Sequence, residues 1–160
     1  MLIRPATPDD RPAIWRLLEP TIRDGETFAL PRDMREGEAL AYWLAPGHAV
    51  FLAEVDGHAA GTYFIRANQK GGGDHVANAA YTTAPEMRGR GIARAMAERS
   101  LEEARRRGFA AMQFNFVVST NERAVGLWQS LGFEIVGRLP GAFRHPRLGE
   151  VDALVMFRRL

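Results

Sequence analysis

The sequence contains no cysteine among its 160 residues. Disulfides, thiolate nucleophiles and cysteine-ligated zinc are therefore excluded together. Lysine is almost as scarce. Lys70 is the only one, so arginine supplies nearly all the positive charge. The net charge is only +2, too balanced for a nucleic-acid-binding surface, and no nucleic-acid partner is expected. No apolar run approaches membrane-spanning length, and Met1-Leu2-Ile3-Arg4 has no signal-peptide core, so no membrane contact and a cytoplasmic location are expected. No pattern of metal ligands is evident. The chain is long enough to bury one substantial core, and it reads as a single domain over residues 1–160.

The punctuation of the chain divides it into alternating elements. Leu2 to Arg4 reads as a short strand. Thr7-Pro8-Asp9-Asp10 is a helix start, with Ile14, Leu17 and Leu18 facing inward and an expected end by Pro20. Asp33 is the expected cap of a second helix through Leu44. Ala49–Val55 and Ala59–Ile65 read as strands joined at Asp56-Gly57, a hairpin signal. His75–Thr83 is the next strand, followed by a helix to Arg107, which Gly108 ends. Then come a strand at 111–118, a helix at 121–131, a strand at 133–137, a Pro/Gly-rich loop at 139–150 and a last strand at 151–160. The resulting order, β-α-α-β-β-β-α-β-α-β-β, predicts an α/β fold with a mixed central sheet and helices on both faces. In the run Arg105-Arg106-Arg107, the preceding Glu102 and Glu103 favour helical ion pairs over a nucleic-acid patch.

The chemistry concentrates in Arg88-Gly89-Arg90-Gly91-Ile92-Ala93, between the fourth strand and its following helix. Two glycines let the backbone turn tightly and approach a ligand. The helix that follows offers unpaired N–H groups and a partial positive charge, so the segment suits a diphosphate. A Walker A loop is excluded because Lys70 lies in another segment. A dinucleotide fingerprint starting at Gly89 would put its last glycine at Arg94. What fits is R-x-x-G-x-A, carried by Arg88, Gly91 and Ala93. With the strand and Pro85 before it, this resembles the acetyl-CoA loop of the GCN5-related N-acetyltransferases (GNAT). Asn121 to Phe133 resembles a second signature of that family, N-x-x-A-x-x-L-Y-x-x-x-G-F, with Trp128 at the tyrosine position.

The resemblance implies a GNAT fold splayed between its fourth and fifth strands, with acetyl-CoA as cosubstrate and no metal. It implies cofactor contacts from Thr83, Arg88, Gly89, Arg90, Gly91, Ile92, Ala93, Asn121 and Trp128, and a homodimer as the common assembly. A narrower resemblance covers roughly residues 75 to 155. Its segments include His75–Tyr81, Phe114–Val117, Thr120-Asn121, Gly137–Ala142 and Val151–Ala153. These are similar to fungal acetyltransferases that act on proline analogues and related imino acids. On that likeness Asn78 holds the substrate carboxylate, assisted by the backbone amides of Asn115 and Phe116. The Tyr81 amide meets the acetyl group, and Asn121 approaches the CoA sulfur. The expected reaction is acetyl transfer to a small-molecule amine, an amino or imino acid, by direct attack.

Trp128 departs from the family's usual tyrosine, and an indole N–H is a donor that does not act as an acid near neutral pH. A CoA thiol with a pKa of about 8.5 can leave as thiolate and take a proton from water. The strand 75–83 carries no carboxylate to act as base. Glu86 lies beyond it, and His75 sits at its end, so deprotonation through water is expected. The same family signatures also allow a protein N-terminus, a polyamine or an antibiotic as acceptor, and the two departures allow a non-catalytic acyl-CoA sensor.

Overall fold

The computed structural model describes residues 1–160. Strand β1 (Leu2–Pro5) is followed by a short turn and helix α1 (Arg11–Asp24), then α2 (Glu36–Trp43). Strands β2 (Ala49–Val55), β3 (His58–Ala67) and β4 (Val76–Thr83) lead into α3 (Ile92–Arg106). Strand β5 (Ala111–Val118), helix α4 (Glu122–Ser130) and the pair β6 (Glu134–His145) and β7 (Gly149–Arg159) complete the chain. At the β2–β3 turn Asp56 and Gly57 adopt φ of 51° and 77°, the left-handed geometry a two-residue hairpin turn demands.

One seven-stranded sheet runs in the order β1-β2-β3-β4-β5-β7-β6. Only β4 and β5 are parallel, and their pairing stops after Val76 with Ala111 and Ala77 with Met112. Beyond that point the two strands diverge, which is the expected splay. Helices α1 and α2 bury Ile14, Leu18 and Trp43 against Leu52 and Phe64 on one face. Helices α3 and α4 bury Met96, Leu101 and Trp128 against Met112, Phe114 and Met156 on the other. Because side chains alternate along a strand, Asn78, Ala80 and Thr82 face the first layer, while Ala77, Ala79 and Tyr81 face the second.

Three expectations are corrected. Helix α1 does not stop at Pro20 but continues to Asp24, and Gly25 ends it at φ 65°. The last turn is held by burial of Thr21 and Ile22, with the Thr21 hydroxyl 2.8 Å from that of Thr82 on β4. These tertiary contacts override the hydrogen bond a proline forfeits. Helix α2 begins at Glu36, not after Asp33, because Glu38 caps it by accepting the Arg35 N–H at 2.9 Å. The stretch 139–150 is mostly strand, not loop. Pro140 is tolerated because β6 is a sheet edge and its register with β7 breaks between Leu139 and Phe143. There Gly141 adopts φ 58°, and Asp152 accepts from the Gly141 N–H at 2.9 Å and from Arg138 at 2.8 Å.

The arginine run is also resolved. Glu103, only 2% exposed, accepts from Arg106 at 2.5 Å and Arg107 at 2.8 Å, whereas Glu102 pairs backward with Arg99 at 3.1 Å. Hydrogen bonds from Arg106, then Arg107, hold the Glu103 carboxyl below the usual range against the opposing effect of burial.

Candidate active site at the splayed strands

The hydrogen-bond phase of β4 decides what the gap offers. The β3–β4 ladder is bracketed by Ala84 N–H donating to Ala60 O at 2.9 Å and Asn68 N–H donating to Val76 O at 2.8 Å. Bonded pairs alternate in an antiparallel ladder. Peptide groups of residues 78, 80 and 82 therefore face β3, and those of 79, 81 and 83 face away from it. The His75 carbonyl, in the same phase, accepts from Ala110 N–H at 2.9 Å next to β5. By Tyr81 the partner strand has departed, so the Tyr81 N–H points into the open gap.

A cavity of about 290 Å³ fills that gap. Its lining comes from both layers: Phe28, Leu30, Tyr42 and Trp43 from the α1–α2 side, Phe114, Asn121 and Trp128 from the α4 side. The cavity brings together the predicted Asn78, Tyr81, Asn115, Phe116, Asn121 and Trp128. It does not include Thr83 or the 88–93 loop, which lie further along at the end of β4 and the start of α3. Its volume sits at the small end of ligand pockets, roughly 300–1,000 Å³, which suits a small acceptor.

A network of amides spans the splay. Arg66 Nε donates to Asn78 Oδ1 at 3.1 Å, and Asn78 Nδ2 donates to the Gln113 carbonyl at 2.9 Å. Gln113 Nε2 donates to Asn115 Oδ1 at 2.9 Å, and Asn115 Nδ2 to Asn68 Oδ1 at 2.6 Å. Asn78 is 7% exposed and its orientation is fixed by a donor on one side and an acceptor on the other. An asparagine amide offers two N–H groups, but one of those on Asn78 is committed to β5. Asn121 starts α4, and its Oδ1 accepts the Ala124 N–H at 3.4 Å, so its Nδ2 faces outward from the cap without a protein partner.

In the 88–93 loop Gly89 and Gly91 adopt φ of 78° and 77°, and Gly91 caps α3 in a left-handed conformation. No side chain caps this helix, so its first N–H groups stay open beside exposed Arg88 and Arg90. That donor set fits a diphosphate. The Tyr81 hydroxyl turns away from this chemistry. It meets Ser100 Oγ at 2.7 Å under α3, and burial pushes its phenol well above the usual tyrosine range. Tyr81, Phe114 and Trp128 pack edge-on and tilted against one another, with Tyr81 and Trp128 centroids 5.0 Å apart. His75 and Glu86 are exposed and neither lines the cavity. No group of three or more His, Cys, Asp or Glu is arranged to hold a metal ion, and no helix is long and apolar enough to cross a membrane.

Sequence reasoning missed Arg66 and the aromatic wall of Phe28, Tyr42 and Trp43. Arg66 meets Asn78 only through the β3–β4 register, where they stand directly opposite. The eight-residue glycine-rich connection between those strands gives no signal of that register.

The fold and this gap are shared with a family of acetyltransferases. Residues 12–133 match the model of the acetyltransferase (GNAT) family. A GCN5-related N-acetyltransferase from Kribbella flavida is 39% identical, with a TM-score of 0.94 over 99% of this chain and 97% of that one. The fission yeast (Schizosaccharomyces pombe) N-acetyltransferase aca1 is 34% identical over 96 residues, which cover 59% of this chain but only 46% of the yeast protein. The yncA protein of Salmonella typhimurium, solved with its cofactor acetyl-CoA, is 24% identical and shares the fold with a TM-score of 0.87 over 100% of this chain and 94% of that one. The chain belongs to the GNAT family and is an N-acetyltransferase.

Proposed function

We propose that the chain acetylates the amine of a small amino or imino acid by direct attack on acetyl-CoA. The observation that carries this reading is the meeting of the unpaired Tyr81 N–H with Asn78, Asn115 and Asn121 around one small cavity. The likeness of residues 75–155 to fungal proline-analogue acetyltransferases supports the acceptor class.

Acetyl-CoA supplies an activated thioester carbonyl. The open N-terminus of α3, with Arg88, Gly89, Arg90, Gly91, Ile92 and Ala93, would hold its diphosphate, and Thr83 and Trp128 would flank the arm. The Tyr81 N–H would polarise the thioester oxygen as an oxyanion donor does. Asn78, with the Asn115 and Phe116 amides, would hold the acceptor carboxylate. The Asn121 amide would stabilise negative charge on the departing sulfur. The amine nitrogen forms the new N–C bond as the C–S bond breaks, the thiolate leaves, and the amine proton passes to water. No covalent intermediate on the protein is needed, and positioning supplies much of the rate. A homodimer belongs to the same proposal. The free edge β6 leaves Ile135, Val136 and Leu139 exposed for a second copy, and sedimentation velocity tests it.

The test is CoA thiol release across amino acids, imino acids, polyamines, an aminoglycoside and an N-terminal peptide. Turnover is expected with an amino or imino acid, with intersecting initial-rate lines instead of the parallel lines of a covalent mechanism. Loss of one buried hydrogen bond costs about 1–2 kcal/mol, so Asn78→Ala is expected to raise the acceptor KM about 5- to 30-fold. Asn121→Ala is expected to act mainly on kcat. Tight acetyl-CoA binding with no turnover on the whole panel would favour an acyl-CoA sensor.

A further inference from the structure

We infer that Arg66 is a specificity-determining residue of the acceptor pocket, binding the acceptor's carboxylate through its two terminal nitrogens. This rests on reading the cavity as the acceptor site. It moves the charge recognition from Asn78 to Arg66 and makes Asn78 the clamp that aims it.

Arg66 is the only charged side chain lining the cavity, and no carboxylate lines it. Most of the lining is apolar, with Tyr42, Trp43, Phe114 and Trp128 among it. A partly buried cation facing such a wall gains from an anionic partner. The protein supplies none. Among its side-chain hydrogen bonds Arg66 makes only the one from Nε to Asn78 Oδ1, and it takes part in no ion pair. Four other arginines contrast with it. Arg4, Arg106, Arg107 and Arg138 each face a carboxylate at 2.5–2.8 Å.

The guanidinium is nevertheless held in place. Its Nε is fixed by Asn78, which the Gln113 carbonyl fixes in turn, and its carbon lies 5.8 Å from the Phe64 ring centroid. With Nε engaged and one face toward Phe64, the Nη1 and Nη2 edge stays free. That edge matches a carboxylate bidentately. The remaining Asn78 N–H adds a third donor beside it. The arrangement selects a small amine that carries a carboxylate. It also disfavours a polyamine, whose second ammonium would meet a cation and find no acid.

The experiment compares L-amino and imino acids with their carboxamides, which keep the amine and remove the negative charge. Wild type, Arg66→Gln and Arg66→Lys are assayed by thiol release. Acceptor binding is read independently from the fluorescence of Trp43 and Trp128, and folding from thermal melting. Wild type is expected to prefer carboxylates over carboxamides by about 10-fold or more in kcat/KM, carried by KM, as a charge-assisted bidentate contact implies. In Arg66→Gln that ratio is expected to collapse towards one, and Arg66→Lys is expected to restore part of it. Turnover of carboxylates and carboxamides with equal efficiency, or equal loss of both in a folded Arg66→Gln, overturns the role of Arg66 and leaves the amino-acid acetyltransferase reading standing. No binding and no turnover with any amino acid, imino acid or carboxamide overturns that reading too, and the two failures are told apart by whether thiol is released.

Discussion

Tyr81 carries two separable chemistries on one residue. Its N–H faces the gap because of ladder phase, and its hydroxyl is hydrogen-bonded to Ser100 beneath α3. A tyrosine near a departing thiolate invites assignment as the acid that the Trp128 position lacks. Burial raises its phenol and Ser100 already occupies it, so the side chain is poorly placed for proton donation. Tyr81→Phe is therefore expected to keep kcat within about threefold, because the peptide donor is unchanged. It is expected to cost about 0.5–1.5 kcal/mol of stability through the lost hydrogen bond. Steady-state kinetics and urea unfolding on the same preparation check both. A hundredfold fall in kcat with intact folding would assign the proton to the hydroxyl instead.

Helix α3 begins on Gly91 for a conformational reason. A Cβ there would meet no atom within 4 Å, so space does not demand glycine, but φ of 77° does. Gly91→Ala is expected to cost about 1–2 kcal/mol from the left-handed backbone alone. If the loop holds the diphosphate, the KM for acetyl-CoA rises with it, while the acceptor KM changes little. Calorimetry and two-substrate kinetics separate the two effects. This loop was legible in the sequence because glycines, a flanking proline and helical periodicity all act locally. The two-residue turn at Asp56-Gly57 and the helix start at Asn121 were legible for the same reason. The far half of β6 was not. Pro140 and Gly141 read as loop, and only the edge position and the Asp152 side chain make them strand. Helix α1 passed through Pro20 because Thr21 and Ile22 find partners on the sheet face it packs against, contacts with no local signature. Arg66 escaped for the same reason: its meaning comes from Asn78 across a register.

Two cores on opposite faces of one sheet meet at the splay, and ion pairs tie the sheet's far edge to the turn that starts α1. Arg4 on β1 donates to both oxygens of Asp10 at 2.8 and 2.9 Å and to Glu54 on β2 at 2.7 Å, while the Thr7 N–H donates to Asp10 at 2.7 Å. Asp10 is 8% exposed, and the Arg4 hydrogen bonds, helped by those from Thr7, hold its carboxyl well below its ordinary 3.8. Glu103 and Asp152 are lowered as well, by arginine hydrogen bonds at Glu103 and by the Gly141 N–H and Arg138 at Asp152. The sign follows from linkage. A carboxyl with a folded pKa below its unfolded one gives stability that is complete above the unfolded value. That stability is lost as pH falls through the folded value. The protein is therefore expected to keep these contributions at neutral pH and to lose them progressively below about pH 4. Asp10→Asn removes the largest of them on the β1–β2 side. It is expected to lower stability at neutral pH and to flatten the fall between about pH 5 and pH 2. Urea unfolding across that range checks the slope. The same steep fall in the variant would place the acid sensitivity on other carboxyls, with Glu103→Gln the next substitution to measure.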